Sequence, residues 1–281
     1  MPAKTTHRPR NRLLLFSLGA AACVLVYLFL LNFQPISRSS PTAGVIPVLV
    51  LAICTGWLTA RFLRADLLPP ATLGLSAPHR PFVRFCMGLV AGSVLTGLWL
   101  VIVTVATGAI LQPNPHFATL SFSSAFVFAF FNNLGEELIY RGYAFVRLAE
   151  NCGEVITVVI TSAVFALLHF QAGLPWLSVL AGVFTSGLVF GATFARWRSL
   201  PLALGVHVAT NVVQEATGLR PGAASFIVPV FPTTSATAGP GLLAGIAALN
   251  LALAAGILFL GRRQSGNIWR PEKSPERTRN R

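Results

Sequence analysis

Two carboxylates stand side by side in Asn132-Asn133-Leu134-Gly135-Glu136-Glu137-Leu138-Ile139-Tyr140-Arg141. On a helix Glu137 and Arg141 are i,i+4 neighbours and can pair their charges. Glu136 points about 100° away and lacks that partner. The spacing predicts that one carboxylate is neutralised within the structure while the other is left available for proton transfer. The bland alternative is that both glutamates mark a helix end at the headgroups. A second feature is His169, four residues after Phe165 in Phe165-Ala166-Leu167-Leu168-His169. A third is His207-Val208-Ala209-Thr210-Asn211, whose His207 and Asn211 share one helix face. Either histidine alone reads equally well as a hydrogen-bonded packing residue. His7, His79 and His116 fall in an arm or in loops and carry no function.

These polar groups interrupt a very apolar chain. Of its 281 residues, 54% are hydrophobic and 10% charged, and the acidic residues number eight. Soluble domains carry roughly a quarter charged residues, so a bilayer rather than water must cover the surface. Ionisable groups inside such a chain cost on the order of 2.5–3.5 kcal/mol each at mid-helix on insertion scales, and persist mainly where they face a cavity or a partner.

About eight spans of ~20 residues are expected: Leu13 to Phe33, Ala43 to Ala60, Phe85 to Leu111, one from near Ala118, Val155 to Phe170, Leu174 to Ala195, Leu200 to Thr217, and Gly241 to Leu260. The fold class is thus all-α, a polytopic transmembrane helix bundle. Residues 1–12 form a basic arm, 13–261 the membrane domain with its motifs at about 118–217, and 262–281 a basic, Pro-containing tail expected to be disordered. The first apolar run is too long for a typical signal h-region and reads as a retained anchor. If the fourth helix continues through Arg147 to a turn near Asn151-Cys152-Gly153, Glu136 lies ~22 Å and His169 ~24 Å above that turn, with Asn211 ~18 Å and His207 ~12 Å above Ser199. Four polar groups on three helices then share a broadly comparable depth. Ser225 to Phe231 is too short to span and is expected at the interface or against the bundle.

The net charge of +13 does not point to nucleic acid. The basic residues gather at the two ends and in short loops: Arg61, Arg64, Arg80 and Arg84, then Arg141 and Arg147, then Arg196 and Arg198. The alternate loops carry only Arg38 and Arg220. That asymmetry predicts cytoplasmic termini. Cys23, Cys54, Cys86 and Cys152 form no CxxC motif and receive no function.

The ordered set Glu136-Glu137-x-x-x-Arg141, Phe165-x-x-x-His169 and His207-x-x-x-Asn211 resembles the CPBP family, which includes the CAAX prenyl proteases and the bacterial Abi-type bacteriocin-processing or self-immunity proteins. Each motif alone is weak; the three in order, in successive helical regions, are specific. The resemblance implies an intramembrane endopeptidase of the bacterial plasma membrane that acts on a membrane-associated or prenylated protein or a peptide precursor. It implies catalytic roles for Glu136, His169, His207 and Asn211, with Glu137 and Arg141 as a supporting pair. Glu136 would act as general base, His169 would hold the water with it, and His207 and Asn211 would donate to the oxyanion. No cofactor is favoured, although Glu136, His169 and His207 also match a zinc ligand set with an open position; the lack of His-Glu-x-x-His, which separates base from ligands, weighs against zinc. Two other classes are an immunity or partner protein without catalysis and, less favoured, a proton-coupled transporter, for which no inverted repeat is visible.

Overall fold

In hydrocarbon every backbone N–H and C=O must be satisfied within the chain, so apolar runs of this length fold as helices. The computed structural model describes residues 8–32, 44–76, 80–170, 173–220, 223–232 and 239–260. The tail, the first seven residues of the arm with His7, and Arg38 and His79 lie outside the described residues. Ten α-helical segments follow in order: α1 (Arg8–Asn32), α2 (Val45–Ala65), α3 (Arg80–Thr107), α4 (Thr119–Tyr140), α5 (Tyr143–Cys152), α6 (Glu154–His169), α7 (Trp176–Ser178), α8 (Thr185–Trp197), α9 (Leu200–Ala216) and α10 (Pro240–Leu260). A π-helical stretch, Val179–Phe184, joins α7 to α8 without a break. The all-α bundle expected from hydropathy is what the chain forms.

Five helical stretches are long and apolar enough to cross a bilayer: Asn11–Asn32, Val45–Ala65, Arg80–Thr107, Trp176–Trp197 and Gly241–Phe259. The other three expected spans are α4, α6 and α9, the ones that carry the polar motifs. α6 has 16 residues and α9 has 17, or ~24–26 Å of helix. Burial runs the opposite way to hydropathy. Leu200 to Thr210 of α9 is buried at every position, whereas α1 and α10 expose most of their length. The polar-motif helix α9 therefore sits inside, while α6 still turns Ile156, Val164 and Leu167 outward.

Small residues let the inner helices approach. Gly88 and Gly92 of α3 form a GxxxG pair against α9, the most extensive helix contact in the bundle. A Cβ on Gly88 would stand 2.3 Å from the Leu202 carbonyl oxygen, and one on Gly205 would stand 2.2 Å from that of Phe85. No side chain fits in either place. Such close crossings replace the hydrophobic drive that lipid does not supply. Gly187 and Gly191 of α8 form a second GxxxG, packed on Ser162, Phe165 and Val158 of α6.

Two expectations need correction. The fourth helix does not continue through Arg147. It ends at Tyr140, because Arg141 (φ −121°, ψ 4°) turns its side chain into the core and Gly142 follows in a bend with no room for a Cβ. The ~22 Å depth for Glu136 therefore loses its basis, and α5 instead forms a separate amphipathic helix. The third helix stops at Thr107 rather than Leu111. Ile110–Pro113 pairs antiparallel with Ile227–Val230, Ile110 opposite Val230. The Ser225–Phe231 stretch is thus half of a two-stranded ladder at the bundle end, with Phe226 stacked on Phe117 and Phe122 at ring centroid distances of 4.4 and 4.6 Å.

The opposite end is basic. Arg12 of α1 and Arg147 of α5 both bond Asp66, just past α2. The following turn brings Gly74 against Arg198 and Ser199, and Arg84 of α3 donates to the Trp197 carbonyl.

Candidate active site

Glu137 is the hub. Its side chain and that of Arg141 have no solvent exposure at all. Arg141 Nη1 donates to Glu137 Oε1 at 2.9 Å, the i,i+4 pair expected from the spacing. Arg141 Nη2 donates to the Gly187 carbonyl at 2.9 Å, which the GxxxG contact between α8 and α6 leaves accessible. Three rings, Tyr140, Phe165 and Phe190, lie 5.5–5.7 Å from the guanidinium carbon, so cation–π attraction supplements the ion pair. The pair is not fully satisfied, since Arg141 Nε and Glu137 Oε2 are buried without a hydrogen-bond partner among the described residues.

His207 of α9 joins the same carboxylate. Its Nδ1 lies 3.0 Å from Glu137 Oε1, and its ring stacks on Phe190 at 4.3 Å and 24°. A carboxylate accepts, so Nδ1 carries the proton and donates. That turns Nε2 outward, 3.6 Å from Glu136 Oε2. Glu136 keeps 18% of its side chain exposed. The two adjacent carboxylates have split environments: Glu137 is enclosed, with Arg141 and His207 both on Oε1 and no hydrogen-bond partner on Oε2 among the described residues, whereas Glu136 is partly open. Glu136 is not without contacts, however. Asn132 Nδ2 donates to its Oε1 at 3.0 Å.

Asn211 lies one turn beyond His207 and donates through Nδ2 to Asn133 Oδ1 at 2.9 Å. One of its two amide hydrogens is used there. His169 is set apart. Its Nδ1 lies 2.8 Å from the Phe165 carbonyl of its own helix. Phe165 separates it from His207, with ring centroids 4.5 Å from His169 and 5.7 Å from His207. Among the described residues no hydrogen bond or ion pair joins His169 to Glu136. The structure thus gathers Glu136, Glu137, Arg141 and His207 directly, brings in Asn211 through Asn133, and leaves His169 beyond one aromatic ring.

Several residues at the site carry no motif: Asn132, Asn133, Phe190, Gly187 and Tyr27, whose hydroxyl donates to Asn132 Oδ1 at 3.2 Å. The asparagines were legible in principle, since Asn132–Glu136 and Asn133–Glu137 are both i,i+4 pairs. Tyr27 gave no local signal, being 105 residues from its partner.

Zinc needs three or four converging donors. Among the described residues no group of three or more His, Cys, Asp and Glu side chains converges in that way. His207 and His169 both engage Nδ1 and leave Nε2 open, but Phe165 stands between the two rings.

Residues 118–213 match the family described as type II CAAX prenyl endopeptidase, Rce1-like. The motif-bearing region is Rce1-like. The match takes in all three motifs, the five helices α4 to α8, and α9 as far as Val213; it leaves out α1 to α3 and α10. No curated protein and no solved structure matches the chain. Hydropathy and this partial match fit an integral membrane protein whose motif-bearing region is similar to the CAAX proteases.

Proposed function

We propose that the chain is an intramembrane endopeptidase in which Glu136 activates water for direct attack on a peptide bond. The observation that carries this reading is the contrast between the two glutamates. A fully buried Glu137, held by Arg141 and His207, fixes the ground on which a half-open Glu136 faces His207 Nε2 at 3.6 Å.

In that arrangement Glu136 Oε2 and the His207 Nε2 lone pair address the same space, and a water seated there donates one O–H to each. As its oxygen bonds to the carbonyl carbon, one water proton passes to Glu136. The C=O π electrons move onto the carbonyl oxygen. The second amide hydrogen of Asn211 is the donor assigned to that oxyanion. Glu136 then returns the proton to the departing nitrogen, the C–N bond breaks, and the products are a carboxylate and an amine. His169, with Nδ1 engaged, offers Nε2 to orient water or the incoming peptide. This revises the roles implied by resemblance: His207, rather than His169, partners Glu136. No step passes through a metal.

The family's name supports a prenylated CAAX sequence as the substrate to try first. Purified protein in liposomes is incubated with an internally quenched, prenylated peptide ending in CAAX, and with its unprenylated twin. Cleavage with a new carboxyl terminus is expected. Intact peptides together with proton-gradient-driven uptake would overturn the peptidase reading in favour of transport.

A further inference from the structure

We propose that Tyr27 and Asn132 are positioning residues for the Glu136 carboxylate, so that helix α1, outside the family-matched residues, completes the site. The inference rests on Glu136 being the base. Each Glu136 oxygen has its own contact: Oε1 accepts from Asn132 Nδ2 at 3.0 Å, and Oε2 faces His207 Nε2 at 3.6 Å. The Asn132 bond holds Oε1, which leaves Oε2 turned to the space in front of His207 Nε2, and the direction of attack follows from that placement. Asn132 has a defined orientation for the same chemical reason. An ionised carboxylate only accepts, so Asn132 must present its N–H₂ to Glu136 and turn its carbonyl the other way. Tyr27 meets that carbonyl at 3.2 Å and donates to it. Flipping the amide would break both bonds.

The placement of Tyr27 argues for a role beyond packing. α1 exposes most of its length, and a hydroxyl on such a helix must find a partner within the protein. At its basic end α1 is tied by Arg12 to Asp66. Tyr27 lies 15 residues on, ~22 Å along the helix, and makes the second polar tether of α1 to the bundle among the described residues. Between the two tethers runs an apolar groove of about 440 Å³, walled by α1 and α6 and floored by Ile139 and Tyr140. A shift of α1 across that groove reaches Glu136 through two hydrogen bonds.

The test is a double-mutant cycle with an independent spectroscopic readout. Tyr27→Phe keeps the ring, and Asn132→Leu keeps the volume. With the quenched prenylated CAAX peptide, Asn132→Leu is expected to lower kcat about tenfold or more, and Tyr27→Phe by somewhat less, with KM unchanged in both. Because Tyr27 acts only through Asn132, adding Tyr27→Phe to Asn132→Leu is expected to cost nothing further. Additive losses, or a normal kcat in Tyr27→Phe, would overturn the proposal. Infrared difference spectra between wild type and Glu136→Gln isolate the Glu136 carboxylate band without any substrate. That band is expected to move in Tyr27→Phe, and an unmoved band would overturn the proposal. Tyr27 is only half-buried, so this arm survives if Asn132→Leu does not fold. Full activity in Glu136→Gln would sink the base reading instead, and the infrared arm would still decide whether Tyr27 orients Glu136.

Discussion

The difference between Glu136 and Glu137 is set by what surrounds two neighbouring carboxylates. Glu137 must remain charged to hold Arg141 and His207, and Arg141 has three rings and the Gly187 carbonyl around it. Removing either member leaves the other charge buried, at about 3–5 kcal/mol. Glu137→Gln and Arg141→Ala should therefore lower both thermal stability and activity; unchanged unfolding temperatures in detergent would remove the ion-pair argument. This pair was fully legible, because i,i+4 spacing needs only the sequence. The His207–Glu137 bond was not, since it joins residues 70 apart and depends on how α9 crosses α4. That crossing also sets His207, rather than His169, beside Glu136. The donor set also yields a prediction about metal. Purified protein should hold well under one zinc per chain and keep its activity after thorough chelation. Stoichiometric zinc that tracks activity through removal and readdition would contradict the metal-free mechanism.

At the scale of elements, the bundle was readable wherever hydropathy alone decides and misread wherever a single residue redirects the chain. Every expected span corresponds to a helix, yet α4 stops at Tyr140 because Arg141 finds its partners inside, and no apolar pattern records that. The ladder of Ile110–Pro113 with Ile227–Val230 pairs segments more than a hundred residues apart, beyond the reach of any local pattern. The short α5 earns its place through Asp66. Burial pushes the Asp66 carboxyl up, but hydrogen bonds from Tyr143, Arg12 and Arg147 outweigh it and hold the group below its ordinary range. Burial, aided by the bond to Asp66, carries the Tyr143 phenol up to about 12, so it remains a donor. A carboxyl lowered in the folded state contributes stability that is present above its unfolded value of about 4 and lost as pH falls through the folded one. Asp66→Asn should therefore unfold at a lower temperature than wild type near neutrality, and the gap should narrow as the pH is taken from about 5 towards 3. A gap that is independent of pH would show that the Asp66 charge does not fasten α1 and α5 to α2.

Across the whole molecule, charge is segregated by end. Arg12, Arg84, Arg147 and Arg198 are linked by contacts around one end, and the β ladder occupies the loops where Lys and Arg are scarce. From the Lys/Arg asymmetry we propose that the basic end, and both termini, face the cytoplasm. Reporter fusions after Arg281 and within the Gln112–Phe117 segment should report opposite sides of the membrane; matching signals would contradict this topology. The site helices α4, α6 and α9 are those that fall short as free-standing spans; α4 packs on α2 and α9 on α3. The proposed water-using reaction thus has its site on helices that lean on more apolar neighbours.

Whether Glu136 drives that reaction is tested most directly by following heavy oxygen from water into the cleaved peptide. Wild-type protein and Glu136→Gln are reconstituted at equal helix content and incubated with the prenylated CAAX peptide in heavy-oxygen water, and the fragments are weighed by mass spectrometry. Wild type should yield an amine fragment and a carboxylate fragment carrying the label. Glu136→Gln should fall by at least about a hundredfold. Labelled product from Glu136→Gln at the wild-type rate would contradict the assignment of Glu136 as the base.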